Sequence, residues 1–365
     1  MSQTDYDFAV IGAGIAGASL ASELAPHASV LVVEAEDQPG YHATGRSAAF
    51  WDECYGGPDI VPLTLASGPF LRKNGFLTQR GALYIGREHE SGALDDFMAR
   101  FAQSGATLER LGASAISAKA PALRDEWCDA IWEPACADID VASLHGHYLK
   151  LLSQAGGELR TRAPLASARL VDDCWQLECG GQAVRAKVLI NAAGAWADEV
   201  ARMAGVTPLG ITPFRRTVVQ LRVSPTAPAN LPLVLDIGGR FYFKPENGRL
   251  WLSPHDEVPS PPCDAAPEEI AIAEAIDRLG NVVDFKIEHV ERKWAGLRSF
   301  ASDRLPIYGR DIARPKFFWF AGQGGWGIQT APAAARLAAQ ALLEQPADAM
   351  TKGINAQTYS PMRFG

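Results

Sequence analysis

Three glycines near the amino terminus point to the first chemistry. Gly12, Gly14 and Gly17 follow the apolar run Tyr6 to Ile11 in the spacing G-x-G-x-x-G. The first glycine permits a tight strand-to-helix turn. The second lets backbone approach a pyrophosphate, and the third lets the helix pack on the strand. Ile15 and Ala16 open that helix, whose unpaired N–H groups and positive dipole end face the anion. Glu34 lies 22 residues beyond Gly12, with Ala35 after it. A carboxylate there accepts hydrogen bonds from a ribose 2′-hydroxyl and repels a 2′-phosphate. Strand, glycines, helix and acid together predict dinucleotide binding.

This fingerprint does not separate nicotinamide from flavin dinucleotides. Three further stretches favour FAD, held without a covalent link. The loop Gly40 to Ala49 reads GYHATGRSAA, and its Arg46, Ser47 and Ala48 suit close contact with a pyrophosphate and the flavin edge. Ala192, Ala193 and Gly194, with Trp196 just beyond, make a turn small enough to pass the adenosine. Late in the chain, FFWFAG runs into Gly324, Gly325 and Gly327, followed by Ile328 and Gln329. A helix starting there aims its positive end at the part of a flavin that gains negative charge on reduction.

The elements that position these residues follow from the hydrophobic pattern. Residues 6–11 and 29–33 read as buried parallel strands around a helix at 16–25. Helices are expected at 92–103, 141–152, 267–279 and about 331–343. Strand-like stretches are expected at 127–132, 158–171, 174–178, 182–186, 216–223, 233–237, 240–245 and 248–252, with a buried strand-turn unit at 186–197. Residues 259–266 are Pro-rich and must be loop. The fold expected is α/β: a Rossmann-like FAD-binding domain of the glutathione reductase type, interwoven with an α+β substrate domain on a mixed or antiparallel sheet. The first would take 1–50, 140–212 and 295–365, the second 51–139 and 213–294.

Composition excludes other classes. The chain has 365 residues, 47% hydrophobic and 21% charged, so extensive disorder is excluded. Its net charge of −8 is the wrong sign for a nucleic-acid binder. No run approaches the ~20 apolar residues of a membrane-spanning helix, and Asp5 and Asp7 precede the apolar run Phe8 to Ile15, unlike a signal peptide. A cytoplasmic address is expected, with only peripheral contact to the inner membrane if a quinone takes the electrons. The six scattered cysteines read as reduced thiols. His145 and His147 lack a third ligand at metal spacing and read as helix-surface residues, so no metal is expected. Asp198 and Glu199 read as helix caps.

GAGIAGAS with Glu34, the TGRSAA loop, NAAGAWAD, WAGLRSF and GQGGWGIQT together resemble the FAD-dependent D-amino acid oxidase/dehydrogenase family. Sarcosine and glycine oxidases also belong to it, and within it the motifs resemble those of bacterial D-arginine dehydrogenase-type enzymes. The resemblance implies hydride transfer from the Cα of an amino acid to the flavin. The resulting imino acid hydrolyses to a 2-oxo acid and ammonia, and the flavin carries the chemistry. It implies Arg298 as the clamp for the substrate carboxylate, with Tyr242 sharing it. It places Arg216 toward the substrate, Arg215 on the other face, and Tyr55 over the pocket in a mobile loop.

Phe50 stands where D-arginine dehydrogenase-type enzymes have a histidine. The stretch Gln79 to Leu83, which includes Ala82, supplies no carboxylate for a basic side chain. Phe50, Trp51, Tyr55 and Trp326 suggest an apolar pocket, so neutral D-amino acids are expected as substrates and D-arginine as a poor one. Covalent flavin attachment through a late cysteine, as in sarcosine oxidases, is ruled out because none follows Cys263, and His42 matches no attachment pattern. Glycine, an N-methyl amino acid or a 2-hydroxy acid would fit the same clamp, and a non-catalytic FAD binder is the rival from another class. Oxygen or a quinone stays open as electron acceptor.

Overall fold

The opening β-α-β unit folds as its pattern requires. In the computed structural model, which describes residues 5–365, strand Asp5–Ile11 passes through helix Ile15–Leu24 to the parallel strand Val30–Val33. Both strands are buried on two faces, and continuous apolar runs supply that. The sheet continues in parallel through Glu158–Arg160 on one side. On the other it continues through Gln182–Asn191 and then Phe317–Ala321. The hairpin Leu165–Val171 and Cys174–Cys179 adds an antiparallel edge, and Ile307–Arg310 pairs antiparallel with Phe317–Ala321.

Helix Ile15–Leu24 packs with helix Gly327–Leu343 in one apolar cluster. The contact uses small residues, among them Ala21, Ala334, Ala335 and Ala338, so the two axes can lie close together. The late helix begins at Gly327, earlier than its alanine-rich stretch suggests, so the last glycine of the turn is already helical. Its amino terminus therefore stands directly over the loops of the first unit.

The second sheet has nine strands. Its long members are Thr212–Ser224 and Lys286–Phe300, paired antiparallel over their whole length. Arg249–Ser253, Tyr242–Glu246 and Leu233–Asp236 follow in antiparallel order. Ala82–Gly86 joins the last of these in parallel, which makes the sheet mixed. Asp129–Glu133 and Glu109–Gly112 complete that end.

Strand Lys286–Phe300 hides from a periodicity reading because its first half is exposed on both faces and charged. It also crosses the expected domain boundary at residue 295. Helix Val61–Lys73 is likewise absent from the expected elements, and it contains Pro62 and Pro69. Pro62 lies in the first turn, where no N–H is needed. Residues 260–266 are loop, and the following helix spans Glu269–Gly280. Among the described residues, no helix is long and apolar enough to cross a membrane. All six cysteines are free.

Candidate functional site

One cavity of about 500 Å³ joins the two sheets. Its first wall comes from the carboxyl ends of the parallel strands. Gly12, Gly14, Ile15, Ala16, Glu34, Ala35, Arg46, Ser47, Ala48, Ala193, Gly194 and Trp196 all line it, with Gly324, Gly325, Gly327, Ile328 and Gln329 opposite.

Glycine is required here for stated reasons. Gly12 has φ +99°, and a Cβ on it would meet the Ala192 carbonyl oxygen at 2.7 Å. A Cβ on Gly17 would sit 1.8 Å from the Gly12 oxygen, so Gly17 lets the helix press onto the turn without lining the cavity itself. Glu34 Oε2 accepts the Ala13 N–H at 2.8 Å, and Oε1 accepts the Glu36 N–H at 3.1 Å. Each oxygen keeps a lone pair for a further donor. The cavity, the glycine turn and the helix amino terminus fit an adenine dinucleotide held as the sequence suggests.

Two residues that hold this cradle escape a sequence reading. Thr44 Oγ1 accepts the Ile15 N–H at 2.9 Å. His145 is a correction: it is buried rather than on the helix surface, and its Nε2 bonds the Ala13 carbonyl at 2.9 Å. Burial lowers its pKa, so the neutral ring serves as a prop for the loop. The signal available was its place among Leu144 and Tyr148, on the buried side of helix Val141–Gln154. Asp198 is also corrected. It caps no helix; its Oδ2 accepts the Gly210 and Ile211 N–H groups, each at 3.1 Å.

Other expected cofactor contacts are already engaged within the protein. Arg46 pairs with Asp264 at 2.5 Å and donates to the Ala265 and Ala295 carbonyls. Gln329 lines the cavity, yet its amide is committed to Thr64, the Tyr55 carbonyl and the Asp52 N–H. It ties the Asp52–Tyr55 loop to the start of the late helix. His42 bonds Glu36 at 2.9 Å and packs against Trp196.

The other wall comes from the second sheet, where Arg298, Arg216, Tyr242 and Tyr55 gather with Phe50. Arg298 pairs across strands with Phe214, and Arg216 with Gly296. Phe214 and Arg216 share a face, so the two arginines are diagonal neighbours on it. Arg215 points away and pairs with Glu268, as strand alternation demands.

Gly325 makes space for Arg298, since a Cβ there would overlap the guanidinium at 1.9 Å. Burial, with Arg304 nearby, lowers the Arg298 pKa to about 9, so it stays cationic at neutral pH. Burial also pulls Arg216 down, opposed by Tyr242, Glu257 and Asp256. Arg216 Nη1 is buried without a partner. Phe50 packs against Tyr55 and Tyr242, and the Arg298 guanidinium lies 5.5 Å from the Tyr55 ring.

Three expected pocket residues lie elsewhere. Trp51 turns into the core, donating to the Thr64 carbonyl with Arg72 over its ring. Ala82 is buried in its strand. Trp326 packs between Tyr55 and Phe300. None of the three lines the cavity. Conversely, carboxyls do stand behind the Phe50 loop. Glu133 lies opposite Ala82 in register, and Asp52 accepts the Tyr84 hydroxyl at 2.6 Å. Burial pushes both acids up, Glu133 well up with Asp52 adding to it. Neither lines the cavity. Among the described residues, no group of three or more side chains is placed to hold a metal ion.

Comparison with known proteins agrees with this geometry. The family model described as DAO, FAD dependent oxidoreductase, matches residues 7–341. "FAD-dependent oxidoreductase domain-containing protein 1" of Mus musculus is 29% identical over 180 residues, 45% of this chain and 37% of that protein. The matched stretch is thus well under half of that relative's length. Glycine oxidase from Geobacillus kaustophilus has a similar fold, with TM-score 0.85, 20% identity and 98% of each chain covered. L-proline dehydrogenase from P. horikoshii does too, with TM-score 0.84, 21% identity and 100% and 98% covered. The cofactor is FAD, and the residues of the glycine cradle are the ones that would hold it.

Proposed function

The chain belongs to the FAD-dependent oxidoreductase (DAO) family, and from that premise we propose that it oxidises the Cα–N bond of a neutral D-amino acid. The observation that carries the reading is the arginine pair. Arg298 and Arg216 share one sheet face, and both line a cavity that also contains the FAD cradle. A non-catalytic FAD binder needs no such clamp.

In this reading the two guanidiniums hold the substrate carboxylate by charge-assisted hydrogen bonds. Burial keeps the Tyr242 hydroxyl protonated, and it donates to the same carboxylate. Tyr55 closes over the bound amino acid. When bound, FAD supplies the acceptor for the Cα hydride. The residues fix the Cα–H and exclude water, and the imino acid product hydrolyses to a 2-oxo acid and ammonia. Phe50 and Tyr55 leave an apolar space for the side chain.

The likeness to D-arginine dehydrogenase-type enzymes extends to the clamp in this proposal, but not to the substrate. A guanidinium side chain would find Phe50 and no cavity-lining carboxylate at that end, which is costly. The two sheets are read as two interwoven domains, with the late boundary moved past Phe300 so that the strand stays whole. FAD is taken as non-covalent, and oxygen or a quinone as the final acceptor.

The test is an anaerobic visible spectrum with D- and L-amino acids, glycine, N-methylglycine and 2-hydroxy acids added separately. Bleaching of the flavin by neutral D-amino acids, with D-arginine much weaker, is the expected result. Bleaching by L-amino acids or 2-hydroxy acids alone would overturn the substrate assignment. Admitting air then sorts oxidase from dehydrogenase.

A further inference from the structure

We propose that Glu257 is a positioning residue that sets substrate specificity. It holds the arginine pair from behind and restricts the site to amino acids with one carboxylate. The inference rests on the carboxylate-clamp reading above and names its substrate class more closely.

Glu257 follows strand Arg249–Ser253 and precedes the short edge strand Val258–Pro259. It does not line the cavity, so it reaches the arginines from outside. Its Oε1 accepts from Arg216 Nη2 at 3.2 Å, from Arg298 Nη1 at 3.4 Å and from Arg304 Nη2 at 2.9 Å. Its Oε2 also accepts from Arg304, at 2.8 Å. One carboxylate thus touches three guanidiniums from three different stretches of chain.

Asp256 completes the cluster. Its carbonyl accepts Arg216 Nε at 2.9 Å, and its carboxylate takes the Thr217 N–H and hydroxyl. Two carboxylates then face three guanidiniums, leaving one positive charge, which one substrate carboxylate balances. Both arginine side chains also line the cavity. Arg216 Nη1 is buried and unpartnered, and Arg298 has a single long hydrogen bond. Two guanidiniums in one desolvated wall repel each other, and Glu257 offsets that repulsion. Without its charge the cluster would carry two positive charges and accept a second carboxylate from the ligand.

The experiment compares acetate with succinate as probes, titrated into the FAD-loaded protein and followed by perturbation of the flavin spectrum. In the wild type, acetate binds and succinate gains nothing over it. In Glu257→Gln, which keeps the shape and one acceptor, the affinity ratio of succinate to acetate should rise by about three- to tenfold, the scale of a partly exposed charge. Glu257→Asp should restore the wild-type ratio.

For amino acids that reduce the flavin, kcat/KM for dicarboxylic over monocarboxylic substrates should rise in parallel. An unchanged ratio in Glu257→Gln would overturn the proposal and leave a merely structural role. So would tighter binding of acetate and succinate alike, which would make Glu257 a competitor for the clamp. A wild-type protein that binds neither probe would also overturn it. If the probes behave as expected but no amino acid reduces the flavin, the oxidation reading fails and this assignment stands.

Discussion

The two ends of the cavity are built by opposite means. The cofactor end is made of backbone and small residues contributed by loops that follow parallel strands. Gly12 and Gly17 matter there for the side chains they lack. The end proposed to take the substrate is made of long side chains on remote antiparallel strands, where Arg298, Arg216 and Tyr242 would matter for the groups they carry. The first end depends on steric permission, so an added methyl group destroys it. The second depends on charge and hydrogen bonding, so it fails by removal of a group while its scaffold persists. The two kinds of damage should therefore separate cleanly in experiment.

The largest effect should come at the cofactor end. Gly17→Val places atoms where the Gly12 carbonyl already stands, 1.8 Å from the position of the new Cβ. Neither partner can give way, because one is helix and the other is the turn that faces the pyrophosphate. The purified variant should carry no flavin, measured as absorbance of flavin per protein, and show no activity even with added FAD. A variant that retains stoichiometric FAD would show that the glycine turn is not what holds the cofactor.

Next comes the clamp. Arg298→Ala should keep its FAD and its fold but lower kcat/KM for the amino acid substrate by roughly 10²- to 10³-fold, the cost of losing one partner of a buried charge pair. Loss of flavin together with activity would blur the comparison and make Arg298 a structural residue of both ends. Tyr242→Phe sharpens it further. One neutral-donor hydrogen bond is removed, so kcat/KM should fall by only about tenfold. Steady-state kinetics with the substrate identified by flavin bleaching checks both variants.

How far each end could be read from the sequence follows from the same contrast. The cofactor end was legible because its requirements are local: strand, glycines, helix and acid lie within one β-α-β unit, and each glycine's role follows from spacing. His145 escaped because its job is to prop the Ala13 carbonyl from another helix, a contact with no spacing to give it away. At the substrate end, Arg215 and Arg216 could be assigned to opposite faces by alternation alone.

What joins Arg216 to Arg298 is the register of two long strands, and one of them has a charged, exposed first half that masks its period. Trp51 and Trp326 were drawn to the pocket by their chain neighbours. Strand and turn geometry send them into the core instead. Asp52 and Glu133 were invisible as a pair because they lie far apart in sequence and meet only through the sheet.

That buried pair gives the smallest effect and the sharpest boundary to the site. Glu133 Oε1 accepts the Glu53 N–H at 2.7 Å, while Oε2 is buried with no partner. Burial first, then Asp52, raises its pKa well above the ordinary carboxyl range. A carboxyl raised in the folded state binds protons there more tightly than in the unfolded chain. Its contribution is most favourable at low pH and is lost as pH rises from the ordinary carboxyl range toward the raised value.

Glu133→Gln keeps the acceptor for Glu53 and cannot ionise. The variant should therefore melt higher than wild type at about pH 8, by about 1–2 °C for each kcal/mol recovered. The difference should shrink toward zero near the ordinary carboxyl range, at about pH 4. Flavin content and kcat/KM should stay within about twofold of wild type, because the side chain lies behind the Phe50 loop and outside the cavity. A lower melting temperature at about pH 8 would mean that the charge on Glu133 stabilises the fold, and a large loss of kcat/KM would extend the substrate end of the site into the core behind it.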